Sequence, residues 1–324
     1  FLLLGGTGMG YSVQQRHVGK LPTVVGPDTR GARTYQVQDS IIGWADAVKV
    51  TVKSFFYGHD LMKMDYRDIR EKGAELITTG GLAPGPAPLK QCIENIIKVM
   101  DKAVGRKLRP IEVHDLACII ADAVLAGGIR RAAMISLFDR DDEEMLTCKS
   151  GQWWENHGYR ARANNSAVLP RGVVTKDEFE RIMKRVEQSG CGEPGVYWTN
   201  NLDWGTNPCC EIGLEPYQMC NLTEINAGEM YSQDDLNLAA SDAAFIGTLQ
   251  AGYTKFHYLN PKWRETCERG ALLGVSMTGI ASGTVMNLDL EEAADAAKAT
   301  NSTVSNLLGI RAAERITCIK PAGT

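Results

Sequence analysis

The chain has 324 residues, of which 44% are apolar, and its 35 basic and 39 acidic side chains give a net charge of −4. This composition supports a sizeable core in one large domain or two ordinary ones, and it excludes an intrinsically disordered chain. The near balance of charge argues against a nucleic-acid-binding arm or a polybasic membrane anchor, and no apolar run is long enough to span a bilayer.

Apolar residues recur at helical spacing in several segments of the chain. Gly58 suits the end of the first of these segments, and Thr175-Lys-Asp-Glu178 has the form of a capping box. Pro261 suits the first position of a later helix. The predicted helices are Ser40–Tyr57, Leu89–Val104, Val113–Ala126, a helix between Thr175 and Gly190, Leu236–Gln250, Pro261–Leu273 and Glu291–Leu308.

Short β-type runs fall between these helices. They are Ala132–Phe138, Ser166–Leu169, Gly195–Trp198 and Arg315–Ile319. Helices that alternate with short apolar strands predict an α/β architecture with a mainly parallel sheet or barrel.

The cysteines and the chain ends are unusual. The chain has nine cysteines, an odd number, and contains no C-x-x-C motif. Both features disfavour a secreted protein held by disulfides and favour reduced thiols in the cytoplasm. The five histidines show no ligand spacing, so no metal site is predicted. Because the chain begins FLLLGG and ends ITCIKPAGT, we expect a fragment cut inside a domain at both ends.

A glycine-rich run at Gly5–Gly10 is the first candidate for a binding loop. It matches neither the G-x-G-x-x-G fingerprint nor a P-loop, which would end in G-K-[ST]. A tight turn with close backbone approach is therefore the favoured interpretation.

The richest patch of reactive side chains lies between positions 205 and 224. Asn207, Cys209 and Glu211 occupy alternate positions, which in an extended segment would place an amide, a thiol and a carboxylate on one side. Cys220 follows after a turn at Glu215-Pro216. Such a set suits chemistry at a hydroxylated carbon, because the carboxylate can accept a proton and the thiol can act as nucleophile or reductant. On spacing alone, the same residues also suit a buried cysteine beside a turn, with Asn207 and Glu211 as caps.

In its motifs the patch resembles the finger loop of ribonucleotide reductases. Thr206-Asn-Pro-Cys-Cys-Glu-Ile212 followed by Cys220-Asn-Leu222 is closest to the adenosylcobalamin-dependent, class II type. Further segments resemble the same family in the same order, over nearly the whole chain: Leu4–Val13, Gly127–Ala133, Ala163–Ser166, Gly192–Gly195, Gly274–Gly279 and Lys320–Thr324.

The resemblance implies a fold and a set of catalytic roles. The fold would be a single domain over residues 1–324, a ten-stranded α/β barrel that is incomplete at both ends and holds a central finger loop at about 205–222. Cys209 would carry the thiyl radical that removes the 3′-hydrogen of the ribose. Glu211 would be the general base, Asn207 would hold the ribose hydroxyls, and Cys220 would be one half of the redox pair.

The resemblance also implies binding residues. Pro321, Ala322, Gly323 and Thr324 would form the loop that binds the substrate phosphates, with backbone N–H groups of this loop as donors. Arg130 and Arg131 would contact a phosphate of the effector or of the substrate. The alternative is that they are merely solvent-exposed side chains of a loop. Asn164 and Asn165, with Arg162 beside them, would contact the nucleobase of the bound nucleotide. The alternative is that they form an asparagine-rich turn.

The implied cofactor is adenosylcobalamin, which would supply the radical chemistry. The implied partners are a ribonucleotide substrate, expected as the triphosphate with the diphosphate as the alternative, a dNTP effector and a thioredoxin-type reductant. A homodimer is compatible with the resemblance, and neither a nucleic acid nor a membrane is expected as a partner.

Two departures keep alternatives open. The other redox cysteine of the family lies on a strand upstream of the glycine loop, and none of the cysteines here has that position. Position 210, usually small or apolar in the family, is Cys210, which could compete with Cys209. The alternatives are a class I large subunit activated by a separate metal-bearing subunit, a glycyl radical enzyme of the pyruvate formate-lyase type, and a catalytically silent nucleotide-binding fragment.

Overall fold

A computed structural model of the chain describes residues 1–31, 33–77, 80–126 and 133–321. The chain divides into two compact units, Phe1–Leu202 and Asp203–Thr324, within what the sequence predicts as one domain. Among the described residues, none of the helices combines the length and the apolar character needed to cross a membrane.

The first unit is built on a parallel sheet. Its strands are β1 (Met9–Ser12), β2 (Thr34–Gln36), β3 (Lys63–Asp65), β4 (Met134–Asp139), β5 (Ala163–Pro170) and β6 (Gly195–Thr199). Four of them form one sheet in the order β1-β4-β5-β6, with every neighbouring pair parallel, and β2 and β3 form a separate parallel pair. The prediction of an α/β fold with parallel strands is therefore confirmed in this unit.

Helices connect these strands and cover the sheet. They are α1 (Gln15–Val18), α2 (Ile41–Tyr57), α3 (Ala87–Asp101), α4 (Pro110–Leu125), α5 (Glu143–Leu146), α6 (Trp153–His157) and α7 (Lys176–Ser189). The predicted capping box of α7 is present, with the Thr175 hydroxyl accepting from the Glu178 amide, and Gly190 ends the helix in the left-handed conformation. Phe138, Leu169 and Ile182 are fully buried where α7 packs on the sheet.

The second unit combines a short hairpin, a pair of longer strands and helices that pack on this pair. Its elements are β7 (Gly205–Thr206), β8 (Gly213–Leu214), β9 (Asn221–Asn226), α8 (Gln233–Ala251), α9 (Pro261–Gly270), β10 (Leu273–Thr278) and α10 (Leu290–Leu308). Strands β9 and β10 are parallel, and their apolar side chains join those of α8 and α10 in one core. This core includes Leu236, Ala244, Leu273 and Ala297.

Two predicted elements of this unit differ from the structure. The helix predicted to reach Leu273 ends at Gly270, because Ala271 takes a left-handed backbone (φ 44°) and the following residues enter β10. The predicted strand Arg315–Ile319 is largely irregular and pairs with β10 through a single bridge between Thr317 and Val275. Apolar residues fit both a helix face and a buried parallel strand, so periodicity alone could not separate α9 from β10.

A buried ion pair ties α4 to the segment that leads into β5. The Arg160 guanidinium donates to both carboxylate oxygens of Asp115, at 2.7 and 2.8 Å, and both side chains are about 10% exposed. Asp122, two turns further along α4, pairs with Arg162 at 2.7 Å but is half exposed. The two pairs therefore differ mainly in their access to water.

Replacing Asp115 with Asn should strongly destabilise the first unit. Removal of one partner leaves the buried Arg160 charge uncompensated, which costs about 3 kcal/mol in the free energy of unfolding. Asp122→Asn is the matched control and should cost less than about 1 kcal/mol, because water screens the exposed pair. Urea titration followed by circular dichroism measures both values, and equal losses would contradict the assignment.

Candidate active site

The candidate catalytic residues lie on a short hairpin at the start of the second unit. Strands β7 and β8 are antiparallel, with Gly205 opposite Leu214 and Thr206 opposite Gly213, and residues 207–212 form the loop between them. The expectation of an extended segment here is wrong, because the chain turns within the loop: Cys210 has a left-handed backbone with φ 68°. Alternation therefore does not position Asn207, Cys209 and Glu211.

Asn207 holds the loop together. Its side-chain Oδ1 accepts a hydrogen bond from the Ile212 amide at 3.0 Å, and its backbone oxygen accepts from the Cys210 amide at 3.1 Å. Its own amide donates to the Ile212 oxygen at 3.3 Å. These bonds leave the side-chain Nδ2 group as the part of Asn207 that can donate to a ligand.

Glu211 brings an unpaired negative charge into the loop. Both of its carboxylate oxygens are buried, and neither has a hydrogen-bond partner among the described residues. A buried charge without a partner is costly, so such groups usually mark a site that a ligand completes. The carboxylate is close enough to raise the pKa of Cys209, Cys210 and Cys220.

The thiols around Glu211 are held in the protonated form. Burial and then the Glu211 charge raise the pKa of Cys209 and of Cys210, although both residues are exposed at the loop. Burial, with a smaller contribution from Cys318, raises the pKa of Cys220 to about 12. A nucleophilic cysteine needs the opposite shift, because the thiolate is the reactive species. This group of protonated thiols therefore favours chemistry that uses an S–H bond.

Cys220 lies immediately before β9, and a further thiol near it was missed from the sequence. Cys318 lies in the irregular segment that pairs with β10, and burial followed by the Glu211 charge raises its pKa. The sequence carries one signal for Cys318, its position two residues before Lys320. Lys320 begins the segment Lys320–Thr324, which resembles the phosphate-binding loop of the family.

Lys320 contributes positive charge to the same region. Its backbone amide donates to the Ser276 hydroxyl at 2.8 Å, which ties the segment to β10. Its ammonium group counteracts the upward pKa shifts of Cys209 and Cys318. Pro321 is exposed, as a phosphate-contacting residue must be, and the other predicted phosphate residues, Ala322, Gly323 and Thr324, lie outside the described residues.

The other predicted binding residues belong to the first unit. Asn164 and Asn165 lie in β5 and not in a turn. Asn165 is 1% exposed and donates to the Cys148 sulfur at 2.7 Å, so Asn164, which is exposed, is the accessible one of the two. Arg130 and Arg131 lie outside the described residues.

Known proteins share both the sequence and the fold. No family model matches the chain. It is 30% identical to the adenosylcobalamin-dependent ribonucleoside-triphosphate reductase of Euglena gracilis, over 93% of this chain and 44% of that protein. The enzyme of the same name from Lactobacillus leichmannii is 28% identical, over 76% and 35%. The chain thus spans less than half the length of these curated relatives.

Among solved structures, the crystal structure of a B12-dependent, class II ribonucleotide reductase matches with a TM-score of 0.81 at 20% identity. The match covers 99% of this chain and 55% of that one. The α/β fold is thus of the ribonucleotide reductase type. The sequence relatives agree with this fold, so the chain is similar to ribonucleotide reductases in both sequence and fold.

Asn207→Ala should loosen the hairpin loop. The Ile212 amide loses its side-chain acceptor, and one such hydrogen bond is worth about 1 kcal/mol, or about a fivefold change in an opening equilibrium. Hydrogen exchange of the Ile212 amide should therefore become faster by about that factor. Asn207→Asp keeps the acceptor oxygen and should leave the exchange close to that of the wild type; equal exchange in all three proteins would contradict the assignment.

Glu211→Gln should lower the pKa of Cys209. The carboxylate charge opposes formation of the thiolate, so its removal makes deprotonation easier and alkylation by iodoacetamide faster at a fixed, mildly alkaline pH. Mass spectrometry of the alkylated peptide across a pH series measures the shift. Glu215→Gln is the control, because Glu215 pairs with Arg269 and should leave the Cys209 profile unchanged.

Proposed function

We propose that the protein containing this chain reduces ribonucleotides to 2′-deoxyribonucleotides by a radical route. The observation that carries the proposal is the Glu211 carboxylate, which is buried, unpartnered and surrounded by protonated thiols. A hydroxyl of a bound ribose would supply the hydrogen bond that this carboxylate lacks. The sequence relatives are ribonucleoside-triphosphate reductases, which supports the same reaction here, with ribonucleoside triphosphates as substrates.

The residues of the loop fit a cofactor that generates radicals, and we propose adenosylcobalamin. Cys209 is exposed, and its raised pKa keeps the hydrogen on sulfur, as a thiol that is to become a thiyl radical requires. The cofactor would supply the radical chemistry when bound. Cys209 is the residue of this chain that would face it.

Each residue of the loop has one task in the proposed mechanism. The Cys209 thiyl radical removes the hydrogen from C3′ of the ribose. Glu211 accepts the proton of the 3′-hydroxyl, and the Asn207 Nδ2 group donates to a ribose hydroxyl and orients it. The 2′-hydroxyl leaves as water, and two thiols, one of them Cys220, supply the two electrons. Cys209 finally returns its hydrogen to C3′.

The complete barrel, the phosphate-binding segment and the partners of the protein are proposed from the family resemblance. The parallel strands of the two units would be sections of a ten-stranded α/β barrel with the hairpin as its finger loop. The segment 321–324 would bind the substrate phosphates, with Lys320 adding positive charge nearby. A dNTP effector, a thioredoxin-type reductant, a homodimer and a cytoplasmic location remain parts of this proposal that the family resemblance supports.

Turnover of CTP by the full-length protein with adenosylcobalamin and a dithiol reductant tests the proposal. Cys209→Ser and Glu211→Gln should each reduce the turnover number by at least about a hundredfold, since each removes a group that acts directly on the ribose. Formation of deoxy-CTP, measured by chromatography, is the readout. Cys210→Ser is the matched control and should retain most of the activity.

Other outcomes would replace parts of this assignment. If Cys210→Ser abolishes turnover while Cys209→Ser retains it, Cys210 is the radical residue. If the full-length protein is inert with adenosylcobalamin but active with a metal-bearing subunit, the chain is a class I large subunit. Nucleotide binding without turnover under either condition would identify a catalytically silent protein.

A further inference from the structure

Arg315 contacts the base of the hairpin that carries the candidate catalytic residues. The centre of its guanidinium group lies 5.4 Å from the centroid of the Trp204 ring, and Trp204 directly precedes β7. Stacking of a planar guanidinium on an indole face is favourable, because the ring face is electron-rich and both groups are flat. The side chain of Arg315 therefore joins the start of the hairpin to a segment that lies far away in the chain.

The returning strand of the hairpin lies against the same two side chains. A Cβ atom built on Gly213, the first residue of β8, would lie 3.6 Å from a ring carbon of Trp204 and 3.8 Å from an Arg315 nitrogen. Both values are ordinary van der Waals distances, so the backbone of β8 lies next to the stacked pair. The pair thus contacts both strands of the hairpin, on either side of the loop with Cys209 and Glu211.

Gln218 extends this contact to the chain that leaves the hairpin. Its side-chain oxygen accepts from the Glu215 amide at 3.0 Å and, over a longer distance of 3.5 Å, from the Arg315 Nη2 group. Gln218 is only 5% exposed, so packing fixes its side chain. The positive charge of Arg315 also counteracts the upward pKa shift of Cys220. The guanidinium group therefore lies close to the hairpin, to its exit segment and to the thiol that precedes β9.

The backbone around Arg315 is fixed independently of this side chain. The Arg315 oxygen accepts from the Leu273 amide at 3.0 Å, and the Ile316 oxygen accepts from the Val275 amide at 2.8 Å. Strand β10 also holds the amide of Lys320, where the proposed phosphate segment begins. Because these bonds attach the segment to β10, loss of the Arg315 side chain alone would release the hairpin and leave the phosphate segment in place.

We propose that Arg315 is a positioning residue for the reduction, and this inference rests on the proposed function. Its side chain sets the hairpin, with Cys209 and Glu211, at a fixed place relative to the segment that begins at Lys320. A substrate held there by its phosphates then presents its ribose to the thiol and the carboxylate. Arg315 does not touch the ribose and acts only through the hairpin.

Steady-state kinetics of the full-length protein with adenosylcobalamin, a dithiol reductant and CTP test this role. Arg315→Met keeps much of the side-chain length but removes the charged planar group. The kcat should fall at least about tenfold, because a small displacement of catalytic groups lowers the rate steeply. The KM for CTP should stay within about twofold, because the phosphate segment remains attached to β10.

The matched control is Arg171→Met. Arg171 stacks on Trp198 at 5.9 Å in the first unit, so the same kind of contact is lost away from the hairpin, and kcat should not change. An unchanged kcat in Arg315→Met, or an equal loss in Arg171→Met, would overturn the proposal.

A double-mutant cycle shows whether Arg315 acts through Trp204. Trp204→Leu removes the aromatic face and should lower kcat by a factor similar to that of Arg315→Met. Because either change breaks the same contact, the double variant should lose no more than about threefold beyond the single variants. Losses that multiply in the double variant would show that the two residues act independently, which contradicts the assignment.

Hydrogen exchange of the Ile212 amide separates this inference from the proposed function, because it requires neither cofactor nor turnover. Ile212 directly precedes Gly213, so release of the hairpin from the stacked pair should make this amide exchange at least about threefold faster in Arg315→Met. The amide should exchange as in the wild type in Arg171→Met. Unchanged exchange in Arg315→Met would overturn the positioning role. Faster exchange in a protein whose wild type never reduces CTP would overturn the proposed function, while Arg315 would still hold the hairpin.

Discussion

The constraint on which this site depends is the cost of burying the Glu211 carboxylate without a partner. The second unit bears this cost in a loop that is held by the hydrogen bonds of Asn207 and turned by the left-handed backbone of Cys210. Burial and, after it, the same negative charge raise the pKa of the neighbouring thiols Cys209 and Cys210. One unsatisfied carboxylate thus contributes both a vacant acceptor in the loop and part of the upward pKa shift of its sulfur atoms.

Strand β10 organises the remaining reactive groups. It pairs with β9 on one side and with the segment around Thr317 on the other, and through Ser276 it also holds the backbone of Lys320. Because Gly274 carries no side chain, the sulfur atoms of Cys220 and Cys318 can both lie close to this position of the strand. Helices α8 and α10 pack apolar side chains against this small sheet, so the core supports the position of the thiols.

Local signals predicted much of the fold. The capping box at Thr175 and the glycine stop at Gly190 defined α7, since both act within a few residues of the helix ends. The parallel sheet followed from the alternation of helices and short strands. The boundary between α9 and β10 was predicted wrongly, because it is set by the pairing of β10 with β9, which begins about 50 residues earlier in the chain.

The sequence by itself determined the resemblance to ribonucleotide reductases and the residue types of the site, because the short motifs around Cys209 and Cys220 are recognised without knowledge of the fold. Only the tertiary structure decided how those residues are arranged. It replaced an extended segment with a hairpin loop, buried Asn165, and brought Cys318 to Cys220 from almost a hundred residues away. The physical reason is that proximity across strands and the loss of water around a charge depend on packing between distant segments, which spacing along the chain does not encode.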